Sequence, residues 1–254
     1  MKTNYHTHTY RCGHAEGTDE EMVQSAVQRG LTVCGISDHA PFRFPEGHES
    51  GFRIPTALAE DYMNSFRALR IRYQNEIEMP IGFEMEYYPL YFKDMLAYAK
   101  ALGGEYLILG QHHVNNEHPA TPPGATADPD VFDQYVSNIM DGLESGVYSY
   151  VAHPDLVLRH DPTDDELEKL RPICKRAKEL GIPLEINFHG LLTNRAYPHE
   201  RFWEMAAGEH NDVIFGCDAH RPDQLTELET EEKALKIVRK YNLHLIESLE
   251  LRTL

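Results

Sequence analysis

Histidines recur near the start of this 254-residue chain, as His6-Thr7-His8 and then His14. Residues i and i+2 of a β-strand lie on the same face, so the imidazoles of His6 and His8 could reach one metal ion. Neutral imidazole is the commonest protein ligand for metals, and histidine mixed with carboxylate suits zinc, manganese or iron. This opening therefore predicts a metal-dependent hydrolase.

The elements that must position these residues are short apolar runs alternating with helical patterns. The predicted strands are residues 3–6, 32–37, 80–86, 106–110, 148–152, 183–187 and 213–217. The predicted helices are 18–30, 57–77, 90–102, 128–143, 163–181, 198–207 and 223–241, two of them opening at the capping boxes Thr18-x-x-Glu21 and Thr163-x-x-Glu166. This alternation predicts an α/β fold, a single parallel barrel domain over residues 1–254. The long loops 41–54 and 115–129 are expected to cover the site as lids or walls.

Every predicted strand is followed by a residue that could bind a metal, and the carboxyl ends of parallel barrel strands share one rim. In chain order these residues are His6, His8 and His14, then His39, Glu84, His112 and His113, then His153, Asn187, His189, Asp218 and His220. Asp38 is expected to orient a ligand histidine. Of the pair at 112 and 113, only one side chain can point inward, and His112 is interpreted as the outer one. The remaining histidines, His48, His118, His160, His199, His210 and His244, are interpreted as loop or core residues.

Composition narrows the possible partners. A formal net charge of −17 disfavours electrostatic binding of nucleic acid, which requires clustered lysine and arginine. No run approaches the length of a membrane span, and the first residues lack the pattern of a secretion signal, which predicts a cytoplasmic protein without a membrane partner. The four cysteines form no CxxC pair and are expected to be reduced. The sequence does not indicate an oligomeric state.

Taken in order, the histidine and carboxylate motifs resemble those of the PHP (polymerase and histidinol phosphatase) superfamily, especially its monofunctional histidinol-phosphate phosphatase branch. The resemblance rests on the HxH start, the third histidine, the SDH at 37–39, the GxE at 82–84, the HP at 153–154 and the DxH at 218–220. It implies a distorted seven-stranded (β/α) barrel with three divalent metal ions (Zn, Fe or Mn) at the rim. The implied ligand sets are His6, His8, Glu84 and Asp218 for one ion, the bridging Glu84 with His113 and His153 for a second, and His14, His39 and His220 for the third. The stretch 110–113 departs from the usual family pattern, which leaves the choice of His113 over His112 open.

The resemblance also implies a function, namely hydrolysis of L-histidinol phosphate to L-histidinol and phosphate in histidine biosynthesis. A metal-bridging hydroxide is the expected nucleophile, with Glu84 and Asp218 as catalytic metal ligands. Arg159 and Arg195 are predicted to bind the phosphate, because the guanidinium fork matches its oxygens. The alternatives are a PHP phosphoesterase acting on another small phosphate ester, such as a nucleotide or phosphotyrosine, and a metal-binding domain without activity. Two further residues, Glu86 and Asn187, are expected to contact the cationic part of the substrate.

Overall fold

The computed structural model describes residues 1–117 and 128–254, so His118 and most of the predicted loop 115–129 lie outside the described residues. Within those ranges the chain forms eight short strands and nine α-helices. The strands are β1 Thr3–Asn4, β2 Val33–Cys34, β3 Phe83–Glu84, β4 Leu107–Leu109, β5 Tyr148–Val151, β6 Leu184–Asn187, β7 Asp212–Gly216 and β8 His244–Leu245. The helices are α1 Asp19–Arg29, α2 Ala59–Arg72, α3 Phe92–Leu102, α4 Pro129–Ser145, α5 Asp164–Leu180, α6 Phe188–Leu192, α7 Glu200–Gly208, α8 Pro222–Thr226 and α9 Leu228–Tyr241.

Helix starts follow the local chemistry of the sequence. Both predicted capping boxes form: the Thr18 hydroxyl accepts from the backbone N–H of Glu21, and Thr163 accepts in the same way from Glu166 at the start of α5. Each box satisfies two backbone donors that the first helical turn would otherwise leave unpaired. Helix α1 then ends at Gly30, whose φ of 76° lies in the left-handed region that favours glycine.

Two predicted helices differ from the structure. The pattern over 57–77 becomes a 3₁₀ turn followed by α2, which ends at Arg72. The segment 223–241 is interrupted at Glu227, which has extended backbone angles and whose carboxylate accepts from the N–H groups of Glu229 and Thr230. Glu227 therefore acts as the N-cap of α9, and the preceding turn forms the separate helix α8.

All strand pairs are parallel. Strands β1 and β2 form one sheet, and β3 to β8 form a second in sequential order. Isolated parallel bridges connect the two sheets, for example Ile36 with Ile81 and Thr7 with Ala219. The structure is therefore an α/β fold built on parallel strands, as predicted. The named strands do not form one closed seven-stranded barrel, and β8, which pairs with the start of β7, was not predicted from the sequence.

Two packed clusters support the strands. The larger lies between strands and helices and includes Trp203, which is fully buried. The smaller gathers side chains on the inner face of the strands, including Tyr5, Tyr106 and Tyr150. The Tyr106 hydroxyl donates to the carbonyl of Tyr5 at 2.9 Å, so the two sheets are also joined below the carboxyl ends of the strands. Among the described residues no helix has both the length and the apolar character that crossing a membrane requires.

Candidate metal centre

The histidines and acids that follow the strands come together at the carboxyl ends of those strands, as predicted. Glu84, at the end of β3, lies at the centre of the cluster and is fully buried. Its Oε2 atom lies 3.5 Å from Nε2 of His6, 3.6 Å from Nε2 of His8 and 3.1 Å from Nδ1 of His39. Its Oε1 atom lies 2.9 Å from Nε2 of His153. The two oxygens of one carboxylate thus face different sets of imidazoles, which is the geometry that a bridging ligand needs.

Several triads of donor atoms are compact enough to hold an ion, with all atoms of a triad within 4.8 Å of one another. The triads are His6, His8 and Glu84; His6, His153 and Asp218; His8, His39 and His220; His39, Glu84 and His112; and His8, Cys12 and Asp38. Asp218 Oδ1, after β7, lies 3.0 Å from Nε2 of His8, after β1, and so connects the ends of these two strands. These overlapping triads bring together a donor from β3 and donors from the residues that follow β1, β2, β4, β5 and β7.

His14 approaches the same cluster from the loop after β1. Its ring centroid lies 5.3 Å from that of His39 and 4.8 Å from that of His220. The Nδ1 atom of His14 is 3.0 Å from the carbonyl of Cys12, and Nδ1 of His220 is 2.9 Å from the carbonyl of Asp218. Both rings are therefore held by a backbone carbonyl two residues earlier, which turns Nε2 toward the cluster.

The choice between the adjacent histidines after β4 has to be corrected. His112, rather than His113, has its Nε2 3.5 Å from Oε1 of Glu84 and belongs to a ligand triad. The ring of His113 lies against Phe52, with centroids 5.1 Å apart, and no compact triad of the described residues includes it. Alternation along β4 agrees with this placement, because Tyr106 and Ile108 pack in the smaller cluster while Leu107 and Leu109 pack in the larger. His112 has the same parity as Tyr106 and Ile108 and therefore points to the same side.

Three imidazoles of the cluster are each oriented by a buried carboxylate. His6 Nδ1 lies 2.8 Å from Oε1 of Glu185, and His112 Nδ1 lies 2.8 Å from Oε1 of Glu86. The third pair is His8 Nδ1 with Oδ1 of Asp38, at 3.2 Å. Metal-ligating histidines usually donate their other ring N–H to a carboxylate or carbonyl, which fixes the ring and raises its basicity. Each contact leaves Nε2 to face the centre.

Sequence analysis missed Glu185, although the strand that carries it contained a signal. The run PLEIN at 183–187 is a predicted strand, and an acid inside a buried strand is almost never fully buried without a partner. The Glu185 carboxylate is fully buried, and its Oε2 accepts from the backbone N–H of His153 at 3.1 Å. Gly216 on β7 makes room for it, since a Cβ there would lie 1.7 Å from Oε1 of Glu185.

Among the buried atoms of the cluster that have no hydrogen-bond partner in the described residues are Oε2 of Glu84, Nδ1 of His39 and Nδ1 of His153. Buried polar atoms are nearly always satisfied, so each exception needs an explanation such as an ion. The Glu84 and His39 atoms lie 3.1 Å apart, and imidazole nitrogen with carboxylate oxygen is a donor set that zinc, iron and manganese accept. The residues at this rim therefore fit divalent metal ions.

Burial alone would keep every group here neutral, yet the pKa shifts go both ways. Burial raises the pKa of Glu84 and Asp218, but neighbouring histidines outweigh it and hold both carboxyl pKa values well below their usual range. Burial lowers the pKa of His39 and His220 well below its ordinary value. In the metal-free protein the rim thus offers ionised carboxylates at Glu84 and Asp218 and neutral imidazoles at His39 and His220, which are the forms that bind metal.

A cavity of about 590 Å³ opens directly over the cluster. Its polar lining consists of His14, His39, His112, His113, His160, His189, His220, Asp218 and Arg195, and its apolar lining of Phe52, Leu156, Leu158, Ala196 and Tyr197. Phe52 belongs to the loop 41–54, which therefore forms a wall of the cavity. Volumes of roughly 300–1,000 Å³ are typical of small-molecule sites.

The two arginines predicted to bind phosphate lie in different environments. Arg195 lines the cavity, and in the described parts of the chain no carboxylate lies within ion-pair distance of it. Its Nε donates to the hydroxyl of Thr193 at 3.3 Å. Arg159, in contrast, donates from Nη2 to the carboxylate of Glu166 at 3.0 Å and does not line the cavity. The structure thus brings only Arg195 to the site.

The two residues predicted to contact the cationic part of the substrate are engaged elsewhere. Glu86 is fully buried, where its carboxylate accepts from Arg53 and faces His112. The Asn187 amide donates to Glu185 at 2.9 Å and to Asp218 at 3.1 Å. Both side chains therefore hold other site residues in place, and neither appears among the residues that line the cavity. The geometry therefore does not favour the predicted contact of Glu86 and Asn187 with substrate.

A family comparison agrees with the geometry. The family model described as PHP domain matches residues 4–189, which is well over half of the chain. The chain belongs to the PHP domain family. The matched range contains most of the ligand cluster, including Glu84 and His153, while Asp218 and His220 follow it on the same rim.

Relatives of this PHP chain match most of its length at low identity. A probable histidinol-phosphatase from Deinococcus radiodurans is 23% identical over 228 residues, covering 87% of this chain and 86% of the relative. One from Schizosaccharomyces pombe is 24% identical over 260 residues, covering 89% and 82%. A crystal structure of histidinol phosphate phosphatase from Lactococcus lactis, complexed with zinc, L-histidinol and phosphate, has a TM-score of 0.73. It is 18% identical and covers 98% of this chain and 97% of its own, which shows that the fold is shared.

Protons must leave this PHP site when metal binds. Burial lowers the pKa of His8, but its contacts with Asp218 and Asp38 outweigh burial and raise that pKa to about 9 in the metal-free protein. Since this value lies above the pKa of about 6.5 for an unfolded histidine, protonated His8 stabilises the metal-free fold below pH 6.5. That contribution disappears as the pH rises through about 9. Metal requires neutral His8, so we expect zinc affinity to increase with pH across this window and protons to be released at pH 7.5.

Proton release can be measured with an indicator dye while zinc is added to metal-free protein in weak buffer, and the affinity by competition with a chelator between pH 6.5 and 9. Asp38→Asn removes one of the contacts that raise the pKa of His8, so this variant should release fewer protons at pH 7.5. A zinc affinity that stays constant across the window would contradict the assignment of His8.

Proposed function

We propose that this PHP protein is a metal-dependent phosphatase that hydrolyses L-histidinol phosphate to L-histidinol and phosphate. The observation that carries the proposal is the buried Glu84 carboxylate surrounded by imidazoles from five strand ends, directly below a cavity lined by Arg195. The relatives named histidinol-phosphatase support the choice of substrate. The reaction would belong to histidine biosynthesis and take place in the cytoplasm.

Three divalent ions, zinc, iron or manganese, would be held by the clustered donors. We assign His6, His8, Glu84 and Asp218 to one ion, Glu84, His112 and His153 to a second, and His14, His39 and His220 to the third. When bound, such ions lower the pKa of a water molecule toward neutrality and stabilise negative charge on phosphoryl oxygens. Nine donors exceed the coordination of one ion, and Glu84 has an oxygen facing each side of the cluster.

Side chains of the protein would orient the substrate and complement the negative charge of its phosphate. The Arg195 guanidinium has no competing carboxylate among the described residues, so its N–H groups are available to bind the phosphate oxygens. The apolar wall that contains Phe52, Leu158 and Tyr197 would pack against the rest of the ester and exclude water. The overall charge of −17 would repel an anionic substrate, and the cations at the rim reverse this locally.

Turnover on a panel of phosphate monoesters tests the substrate. Metal-free protein is reconstituted separately with zinc, manganese and iron, and kcat/KM is measured for L-histidinol phosphate, phosphotyrosine, a nucleoside monophosphate and a generic aryl phosphate. We expect kcat/KM for L-histidinol phosphate to exceed the others. A higher value for phosphotyrosine or the nucleotide would assign the protein to another PHP phosphoesterase class, and full metal loading without turnover on any ester would indicate a metal-binding domain.

Glu84→Gln should remove metal and activity together. The amide keeps the size of the side chain but cannot place a negative oxygen toward both sets of imidazoles. We expect metal content to fall and kcat/KM to drop more than about a hundredfold, beyond the range typical for outer partners of metal ligands. Metal is measured by elemental analysis after dialysis. Glu105→Gln is the control, because Glu105 pairs with Arg70 at the opposite ends of the strands; wild-type turnover by Glu84→Gln would contradict a bridging role.

Arg195→Met should weaken binding of the phosphate while leaving the metal in place. A hydrogen bond to a charged group contributes about 1.5–3 kcal/mol, which predicts a loss of about 10–150-fold in kcat/KM. Arg159→Met is expected to cost less, since Arg159 is paired with Glu166. Arg171→Met serves as the control, because Arg171 binds Glu168 and Glu209 on the surface. Equal losses at 159 and 195 would show that the structure-based distinction between them is wrong.

A further inference from the structure

A buried arginine lies behind the metal centre, in a loop that the sequence suggested as a lid. Arg53 is only 2% exposed. Its guanidinium donates to the Glu117 carboxylate from Nε at 2.9 Å and from Nη2 at 2.6 Å, and to Oε2 of Glu86 from Nη2 at 2.5 Å. Nη1 donates to the carbonyl of Ala40 at 3.2 Å. A cation buried this completely must be paired on several sides to be tolerated, so the arrangement is specific rather than incidental.

The partners of Arg53 come from three successive strand ends. Ala40 follows β2, Glu86 follows β3 and Glu117 lies beyond β4. Those same strand ends supply the triad His39, Glu84 and His112. The Arg53 side chain thus contacts the three segments that follow β2, β3 and β4. The triad His39, Glu84 and His112 lies at the start of these segments.

A direct line of contacts leads from Arg53 to a ligand. Oε2 of Glu86 accepts from Arg53, and its other oxygen, Oε1, lies 2.8 Å from Nδ1 of His112. The opposite ring nitrogen of His112 then faces Glu84 at 3.5 Å. If Glu86 lost its cationic partner, its buried charge would be compensated by His112 alone, and the carboxylate would be free to rotate away from the ring.

Phe52 provides a second connection. The guanidinium carbon of Arg53 lies 4.8 Å from the centroid of the Phe52 ring, within the range of a cation–π contact. That ring in turn contacts His39, with centroids 5.0 Å apart, and His112, at 5.8 Å. Arg53 therefore supports both histidines of the triad, one through Glu86 and both through the aromatic wall of the cavity.

We infer that Arg53 is a positioning residue for the metal centre, acting chiefly through Glu86 on the orientation of His112. The inference rests on the proposed metal-dependent function, since it concerns how tightly one of the proposed ligands is held. Arg53 itself is buried away from the cavity and touches neither substrate nor ion. Through the contacts of Arg53, the loop 41–54 is fixed to the rim and is not a separate cover over it.

The test uses the full-length protein, stripped of metal and titrated with cobalt(II), whose visible absorption reports the geometry of its ligands. We expect Arg53→Met and Glu86→Gln each to weaken cobalt binding about 10–100-fold, the usual effect of removing an outer partner of a ligand, and to change the absorption bands. If Arg53 acts through Glu86, the double variant should be no weaker than the worse single variant. Arg53→Lys keeps the charge but cannot span Glu86 and Glu117, so it should bind with intermediate affinity.

Asn211→Ala is the matched control for general destabilisation. Asn211 is buried just before β7, where its amide donates to the carbonyl of Cys174 at 2.8 Å, away from the rim. This variant should lose stability yet keep the wild-type cobalt spectrum and affinity. Wild-type cobalt binding by Arg53→Lys, or by a folded Arg53→Met, would overturn the inference, as would additive losses in the double variant. Failure of the wild-type protein to bind cobalt would instead refute the proposed metal-dependent function.

Discussion

Burial of the Glu84 charge is the constraint on which the rim of this molecule depends. An isolated carboxylate is very costly to bury, so it must be compensated by neighbours of opposite charge or by a metal. The fold supplies imidazoles on both sides of the carboxylate and leaves room for it at Gly110, where a Cβ would lie 1.9 Å from Oε1 of Glu84. The Glu84 carboxylate is held in the interior by several features of the fold. These are the short strands, the register of β3 against β4 and the glycine after β4.

The need for cations extends beyond Glu84. Five buried carboxylates lie in or directly behind the cluster, those of Asp38, Glu84, Glu86, Glu185 and Asp218. Among the described residues that contact these acids, Arg53 is the one arginine, and it is shared with Glu117. The remaining charge can be balanced only by protonating the histidines or by binding ions. Divalent metals satisfy this balance while leaving the imidazoles neutral, which is why the metal-free site is expected to hold protons.

Much of the cluster of candidate ligands could be predicted from the sequence, because its assembly depends on local rules. Strands could be recognised from short apolar runs, and in a parallel fold everything that follows a strand lies at the same rim. The exceptions have a structural cause. At His112 and His113 the inward direction is set by the side chains before them, because His112 shares the parity of Tyr106 and Ile108, which pack in the smaller cluster. Arg159 follows a strand like Arg195 does, but it is bound by the capping box of α5, which sequence spacing alone could not show.

The layer behind the ligands shows where sequence analysis reaches its limit. His14 and His220 are oriented by carbonyls two residues earlier, a local contact that could be anticipated from the chain. The carboxylates that orient other rings are remote: Asp38 lies 30 positions from His8, and Glu185 lies 179 positions from His6. Their pairing depends on which strands are neighbours and on their register, since a shift of one residue would turn Glu185 to the other face of β6. The residues of a metal centre can therefore be identified from a sequence more readily than the acids that fix their orientation.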